Sequence, residues 1–420
     1  MSAAEPLLSE PVVLAHAKRR LFPDCVGSSG ADATGYAVTD TQFAADCWLE
    51  GEPIDPRTRS TLAPFNHVKL GSGYPDLVGV GTLESDVLGI SRLGREPPLV
   101  AVEAKGHVSS GGVDTHRGIV QAYDRLDEAN VAYLAAPATA VSETDRALAR
   151  ELNVGVLGVD TAGEVSVLES PRVVGNRSGG DGSWIRFQAG AQGVTERSFS
   201  LNHPKNYLGY PLAHDADGET DTLLAEYRVV NATAGARRGA ALLGLLEDGP
   251  GGVRLTELGR EVVRFALARH GSVETALEEF ETWYRSRQRF VEQAPAWGEL
   301  ARRIVFAHPA VRTLVTELQC LADDGTRAPT LLEFVEYLHV LRPTFTVELF
   351  VRGDEDTRAR VLRPDGSLRP DALADGTVYH APTVFQLKTM CYHVGLLAER
   401  GREPHRLEPT ADCWALCDPL

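Results

Sequence analysis

The chain has 420 residues, of which 43% are hydrophobic and 24% charged, with a formal net charge of −16. Such a length holds two or three domains with substantial cores, and the composition excludes a disordered or fibrous protein. No apolar run approaches the ~20 residues that cross a membrane, and Met1–Glu5 lacks the basic and apolar parts of a signal peptide, so a cytoplasmic protein is expected.

Glu10-Pro11 opens an amphipathic segment to about Leu21, with Val13, Leu14, Ala17 and Leu21 on one stripe. Residues 22–65 are rich in Gly, Asp and Pro and read as irregular, apart from a short helix near Phe43–Leu49. Tyr74-Pro75-Asp76 then starts the apolar run Leu77-Val78-Gly79-Val80. A loop or hairpin over Glu84–Pro98 leads to Leu99-Val100-Ala101-Val102-Glu103-Ala104-Lys105. With a strand period of two, Glu103 and Lys105 point to one side and Val102 and Ala104 to the other. A core rejects unpaired charge, so two acids and a lysine converging at adjacent strand ends suit a hard cation such as Mg²⁺ beside a basic group. The competing possibility is a solvated ion pair on an edge strand.

Gly112–Ala129 reads as a helix with Ile119, Ala122, Leu126 and Ala129 inward and Gln121 on another face. Gln121 either hydrogen-bonds a water or phosphate oxygen or faces solvent. A buried strand, Val131–Ala136, ends at Pro137; a helix over Ser142–Leu152 and a strand over Val154–Val159 follow.

Pro75-Asp76, Glu103-Ala104-Lys105 and the helix carrying Ile119-Val120-Gln121-Ala122-Tyr123 match, in order and spacing, three motifs of one family. Residues 8–160 thereby resemble the PD-(D/E)XK nuclease superfamily, the restriction-endonuclease-like fold. The resemblance implies an α/β domain over 1–165, a mixed sheet flanked by helices. It implies Asp76 and Glu103 as ligands of Mg²⁺ (or Mn²⁺), and Asp76, Glu103, Lys105 and Gln121 as catalytic residues. Glu10, or as a rival Glu50, would add an acid near the metal; a first-turn acid favoured by the helix dipole is the plainer account of Glu10. Lysine is scarce: Lys18, Lys69, Lys105, Lys205 and Lys388 against 37 arginines among 42 basic residues. An ammonium is a compact charge whose pKa can fall on burial, whereas arginine stays protonated, so a lysine at position 105 fits a role toward water or phosphate.

Gly175–Ser183 is the clearest linker, giving a linker over 166–195. Beyond it a mainly helical region is expected. Arg237–Leu246 reads as a helix, and a Gly-Pro-Gly-Gly turn precedes Val253-Arg254-Leu255-Thr256, with Thr256 capping the next helix. This resembles a winged helix-turn-helix over 196–270; a helical region over 271–345 and a second winged-helix-like unit over 346–420 complete the division. Arg237, Arg238 and Lys388 are the candidate DNA-binding residues. Cys391, His393, His405, Cys413 and Cys417 lack standard zinc spacing, so reduced thiols are expected.

Together these readings predict a Mg²⁺-dependent DNA endonuclease acting as a homodimer, with a non-catalytic DNA-binding regulator as the alternative. The acidic balance opposes DNA affinity, which rests on phosphate neutralisation. It resembles the acidic proteins of salt-loving archaea, in whose cytoplasm long-range charge is screened.

Overall fold

The computed structural model describes residues 7–25, 35–88, 97–108, 112–173, 199–249, 252–283, 288–364 and 366–418. They fall into two compact units: residues up to 173 together with 340–345, and residues 199–339 with 346–418.

The first unit begins with α1 (Glu10–Leu21), which has Pro11 in its first turn, where the missing N–H costs nothing, and Lys18, Arg19 and Arg20 in its last. Val13, Leu14, Ala17 and Leu21, the stripe expected from the sequence, are buried in the core. A six-stranded mixed sheet follows in the order β1 (Tyr36–Thr39), β2 (Leu77–Val80), β3 (Leu99–Ala104), β4 (Val131–Pro137), β5 (Gly155–Val159) and β6 (Val165–Glu169). β3–β4 and β4–β5 are parallel and the other pairs antiparallel. Crossovers through α3 (Thr115–Arg125) and α4 (Glu143–Leu152) join the parallel strands, as parallel pairing requires. Val100, Val102, Ala104, Tyr133 and Ala135 pack with the buried face of α1. Ile119 and Ala122 of α3, with Leu126, pack on Ala132, Leu134 and Ala136. Ser142 caps α4 through a reciprocal capping box with Asp145.

Three sequence expectations need correction here. Residues 22–65 contain β1 and the helix α2 (Pro56–Leu62), which Asp55 caps. Near Phe43–Leu49 there is only the short 3₁₀ turn Thr41–Ala44, followed by another at Leu49–Gly51. β1 owes its form to pairing with β2, since four residues show no usable alternation. The sheet also continues past residue 165, through β6 on β5.

The second unit is mainly helical. Its helices are α5 (Lys205–Asp215), α6 (Thr220–Glu226), α7 (Thr233–Leu242), α8 (Glu257–His270), α9 (Val273–Thr282), α10 (Phe290–Gln293), α11 (Pro295–Ala307) and α12 (Pro309–Asp323). Next come α13 (Leu331–Leu341) and α14 (Pro343–Phe350), which contain the 340–345 segment of the first unit, then α15 (Glu355–Val361), α16 (Pro370–Leu373) and α17 (Ala381–His393). Between α7 and α8 lies an antiparallel hairpin, β7 (Leu246–Gly249) with β8 (Gly252–Leu255). Thr256 Oγ1 accepts from Gly259 N at 3.1 Å and caps α8, as expected from the sequence. After α17 the described residues form only single bridges, such as Leu397 with Leu416, so the second wing expected within 346–420 is not formed there. Pro404 and Pro409 lie in this stretch and remove ladder donors. The linker Gly175–Ser183 lies outside the described residues. Among the described residues no helix is long and apolar enough to cross a membrane.

Candidate functional site

In the antiparallel β2–β3 register Leu77 faces Val102, so one step further Asp76 faces Glu103. Directly opposed residues project from the same side of a sheet, which is also the side of Lys105. β3 is an interior strand, third of six, so the pair is not an edge feature open to solvent. Asp76 is 4% exposed and Glu103 3%, whereas Lys105, one residue beyond the strand, is half-buried.

Asp76 Oδ2 accepts from Ala104 N at 2.7 Å, and its Oδ1 from Gln42 Nε2 at 2.9 Å. Glu103 Oε1 accepts from Arg125 Nε at 2.7 Å. The Lys105 ammonium therefore does not pair with Glu103: it donates to Ala104 O at 2.8 Å, while its backbone N donates to Ala135 O.

Two glycines let flanking helices reach these groups. A Cβ on Gly106 would lie 2.1 Å from Glu10 N, so only glycine lets the start of α1 close on the chain after Lys105. A Cβ on Gly118 would lie 2.9 Å from Lys105 Cγ, so the lysine stem lies against α3. Gly118, Gln121 and Arg125 are spaced by three and four and share a face of α3. Gln121 thus sits between the residue touching Lys105 and the residue bonded to Glu103. It is half-buried, and its Oε1 is buried with no hydrogen-bond partner.

The charges interact strongly. Burial pushes the Asp76 carboxyl well above its ordinary range, and the anions of Glu103 and Glu10 push it further. Burial also raises Glu103, against the opposing pull of the Arg125 guanidinium. Glu10 is raised by burial, lowered by Lys105 and raised by Glu103. Glu10 therefore belongs to the same electrostatic cluster as Asp76, Glu103 and Lys105. The side chain of its rival Glu50 lies outside the described residues.

Sequence reasoning missed three contributors. Arg125, 5% exposed, also donates to Leu70 O at 3.0 Å and to Asp124 Oδ2 at 2.9 Å. Its signal was a position four residues after Gln121 on the same helix. Gln42 comes from the stretch read as irregular. So does Asp40, which follows β1 beside Asp76: its N donates to Asp76 O, and its carboxylate accepts from Gln42 N and meets His67 Nδ1 at 3.1 Å. Neither carried a pattern, because β1 itself had none.

Arg237 and Arg238 are exposed on α7. Lys388 corrects an expectation: it is fully buried in α17, where Nζ donates to Asp412 Oδ1 at 2.8 Å. Trp414 Nε1 donates to the other oxygen of Asp412 at 3.1 Å. An ammonium neutralised inside a core offers nothing to a phosphate, so Lys388 is a structural charge. All six cysteines are free, and among the described residues no group of three or more His, Cys, Asp or Glu side chains is grouped to hold a metal.

No family model, curated protein or solved structure matches this chain.

Proposed function

We propose that the chain is a metal-dependent DNA endonuclease with a restriction-endonuclease-like first domain. The observation that carries this reading is Asp76 opposite Glu103 across β2 and β3, beside Lys105 and the unpartnered Oε1 of Gln121. Carboxyls raised by burial, with Glu103 and Glu10 further repelling Asp76, are unstable as anions unless a cation joins them. Mg²⁺ needs only one or two carboxylates and keeps several waters, so the absence of a three-residue cage among the described residues is compatible with it. Asp76 and Glu103 would hold it, with Glu10 adjacent. When bound, such a cation activates water and offsets charge on the phosphoryl group.

The chain's own groups do the remaining work. Gln121 Oε1 accepts an O–H of the attacking water and orients it. The Lys105 ammonium stands beside the carboxylates as a compact cation toward the phosphate. The water oxygen bonds to phosphorus, its proton leaves to a base, and the phosphorus–oxygen ester bond breaks, its oxygen taking up a proton. The α7, hairpin and α8 succession fits a winged helix-turn-helix reader, with Arg237 and Arg238 toward phosphates. Cutting both strands calls for two such sites, hence a homodimer.

One observation favours a second reading, a DNA-binding regulator on a nuclease-like scaffold: Arg125 already occupies an oxygen of Glu103. Incubating the full chain with plasmid DNA and Mg²⁺ or Mn²⁺ separates the two. Nicked and linear products support the nuclease; bound but intact DNA in both metals supports the regulator and removes the nuclease reading.

A further inference from the structure

A cavity of about 220 Å³ in the second unit is lined by Asn202, His203, Lys205 and Asn206 at the start of α5, and by His393 and Arg400 at and beyond the end of α17. Among the described residues no carboxylate lines it. The nearest acid on Arg400, Glu403, is 3.8 Å away and half exposed.

Polar atoms around this cavity lack partners. His203 Nδ1 accepts from Lys205 N at 3.2 Å, which fixes the proton of the neutral ring on Nε2. That Nε2 is buried and makes no hydrogen bond; nor does Arg400 Nε. His203 is 7% exposed and His393 3%, and their rings lie 4.3 Å apart. Buried donors without acceptors are costly and rare. The Lys205 ammonium, 4% exposed, donates to Arg228 O at 3.3 Å and to Phe280 O at 3.5 Å. The first N–H groups of the 11-residue α5 are bonded to His203 and Pro204, so its start adds only the field of the helix dipole.

We propose that this cavity binds a phosphate dianion or the head of a phosphate monoester, between His203, Arg400 and the start of α5. The volume is below that of pockets for drug-sized ligands, ~300–1,000 Å³, and suits a phosphoryl head with little attached. An anion supplies an acceptor for the orphan donors His203 Nε2 and Arg400 Nε. The present electrostatics agree. Burial, then His393, Lys205 and Arg400, hold His203 well below its ordinary value; burial and Arg400 hold His393 at about 4; burial holds Lys205 at about 8. Arg400 and Lys205 thus help keep the His203 ring neutral, and a bound anion offsets their charge.

The test is calorimetric titration of the full chain with inorganic phosphate, against chloride at equal ionic strength. Saturable phosphate binding is expected, weakened about tenfold or more in Arg400→Ala and in His203→Gln, as loss of a charge-assisted bond implies. Should one variant not melt cooperatively, the other carries the comparison. Displacement by a short 5′-phosphorylated oligonucleotide, but not by its unphosphorylated form, would identify a strand end as the source. Displacement by neither would identify a small phosphate. No saturable phosphate binding, or affinity unchanged in both variants, overturns the proposal.

Discussion

Arg125→Met tests the buried heart of the acid cluster. The Arg125 and Glu103 side chains are 6% and 4% exposed, and their charged atoms are 2.7 Å apart. Methionine keeps the apolar stem and removes the guanidinium, leaving Glu103 and Leu70 O without that donor. Breaking a buried pair from one side costs about 3–5 kcal/mol, because the partner stays desolvated and charged. The lost carbonyl bond is worth about 1 kcal/mol; the bond to Asp124, itself 36% exposed, adds little. Protonation of Glu103 caps the loss, so about 3–5 kcal/mol at pH 7 is expected. Urea unfolding of the full chain, followed on the transition of the first unit, measures it. Adding Glu103→Gln to Arg125→Met should recover most of the loss, since the stranded anion is gone. The loss should also shrink as pH falls and Glu103 takes up its proton. A loss under about 1 kcal/mol, unchanged between pH 7 and 5, would refute the reasoning.

Other predictions follow from the same geometry. Asp76 holds its proton more tightly folded than unfolded, so its contribution is fully present below the ordinary carboxyl range and is lost as pH rises through the raised folded value. Asp76→Asn should therefore melt higher than wild type at pH 7 without metal, the gap closing toward pH 4; a lower melting temperature at pH 7 contradicts this. Lys105→Arg should lower single-turnover cleavage by about 10²–10⁴, because a larger, permanently protonated fork does not replace the compact ammonium of a lysine whose stem packs on Gly118; activity within a few-fold of wild type returns Lys105 to a structural charge. Lys388→Met should destabilise by about 3–5 kcal/mol by stranding buried Asp412, yet leave DNA affinity unchanged. Arg237→Ala with Arg238→Ala should weaken DNA binding and flatten its log-salt slope by about 1–2; an unaltered slope removes α7 from the interface.

The legible parts of the chain were those with strong local patterns. α1 announced itself by Pro11 and a stripe at helical spacing, and β3 by an apolar run interrupted by Glu103 and Lys105. Thr256 was legible as a cap because a turn precedes it and a periodic helix follows. β1 was not, since its four residues become a strand only by pairing with β2. Arg125 was hidden because a basic residue near a helix end reads as solvated; only the fold brings it under Glu103. Lys388 misled for the converse reason: its partner Asp412 is 24 residues away, and no local signal marks a buried ion pair.

The most direct test of the acid cluster is single-turnover cleavage of an end-labelled duplex by wild type and Asp76→Asn, side by side in Mg²⁺. Asp76→Asn is expected to remain folded and bind DNA while losing cleavage by about 10² or more. Equal cleavage by the two proteins, or wild-type cleavage undiminished by chelating the metal, would contradict the account.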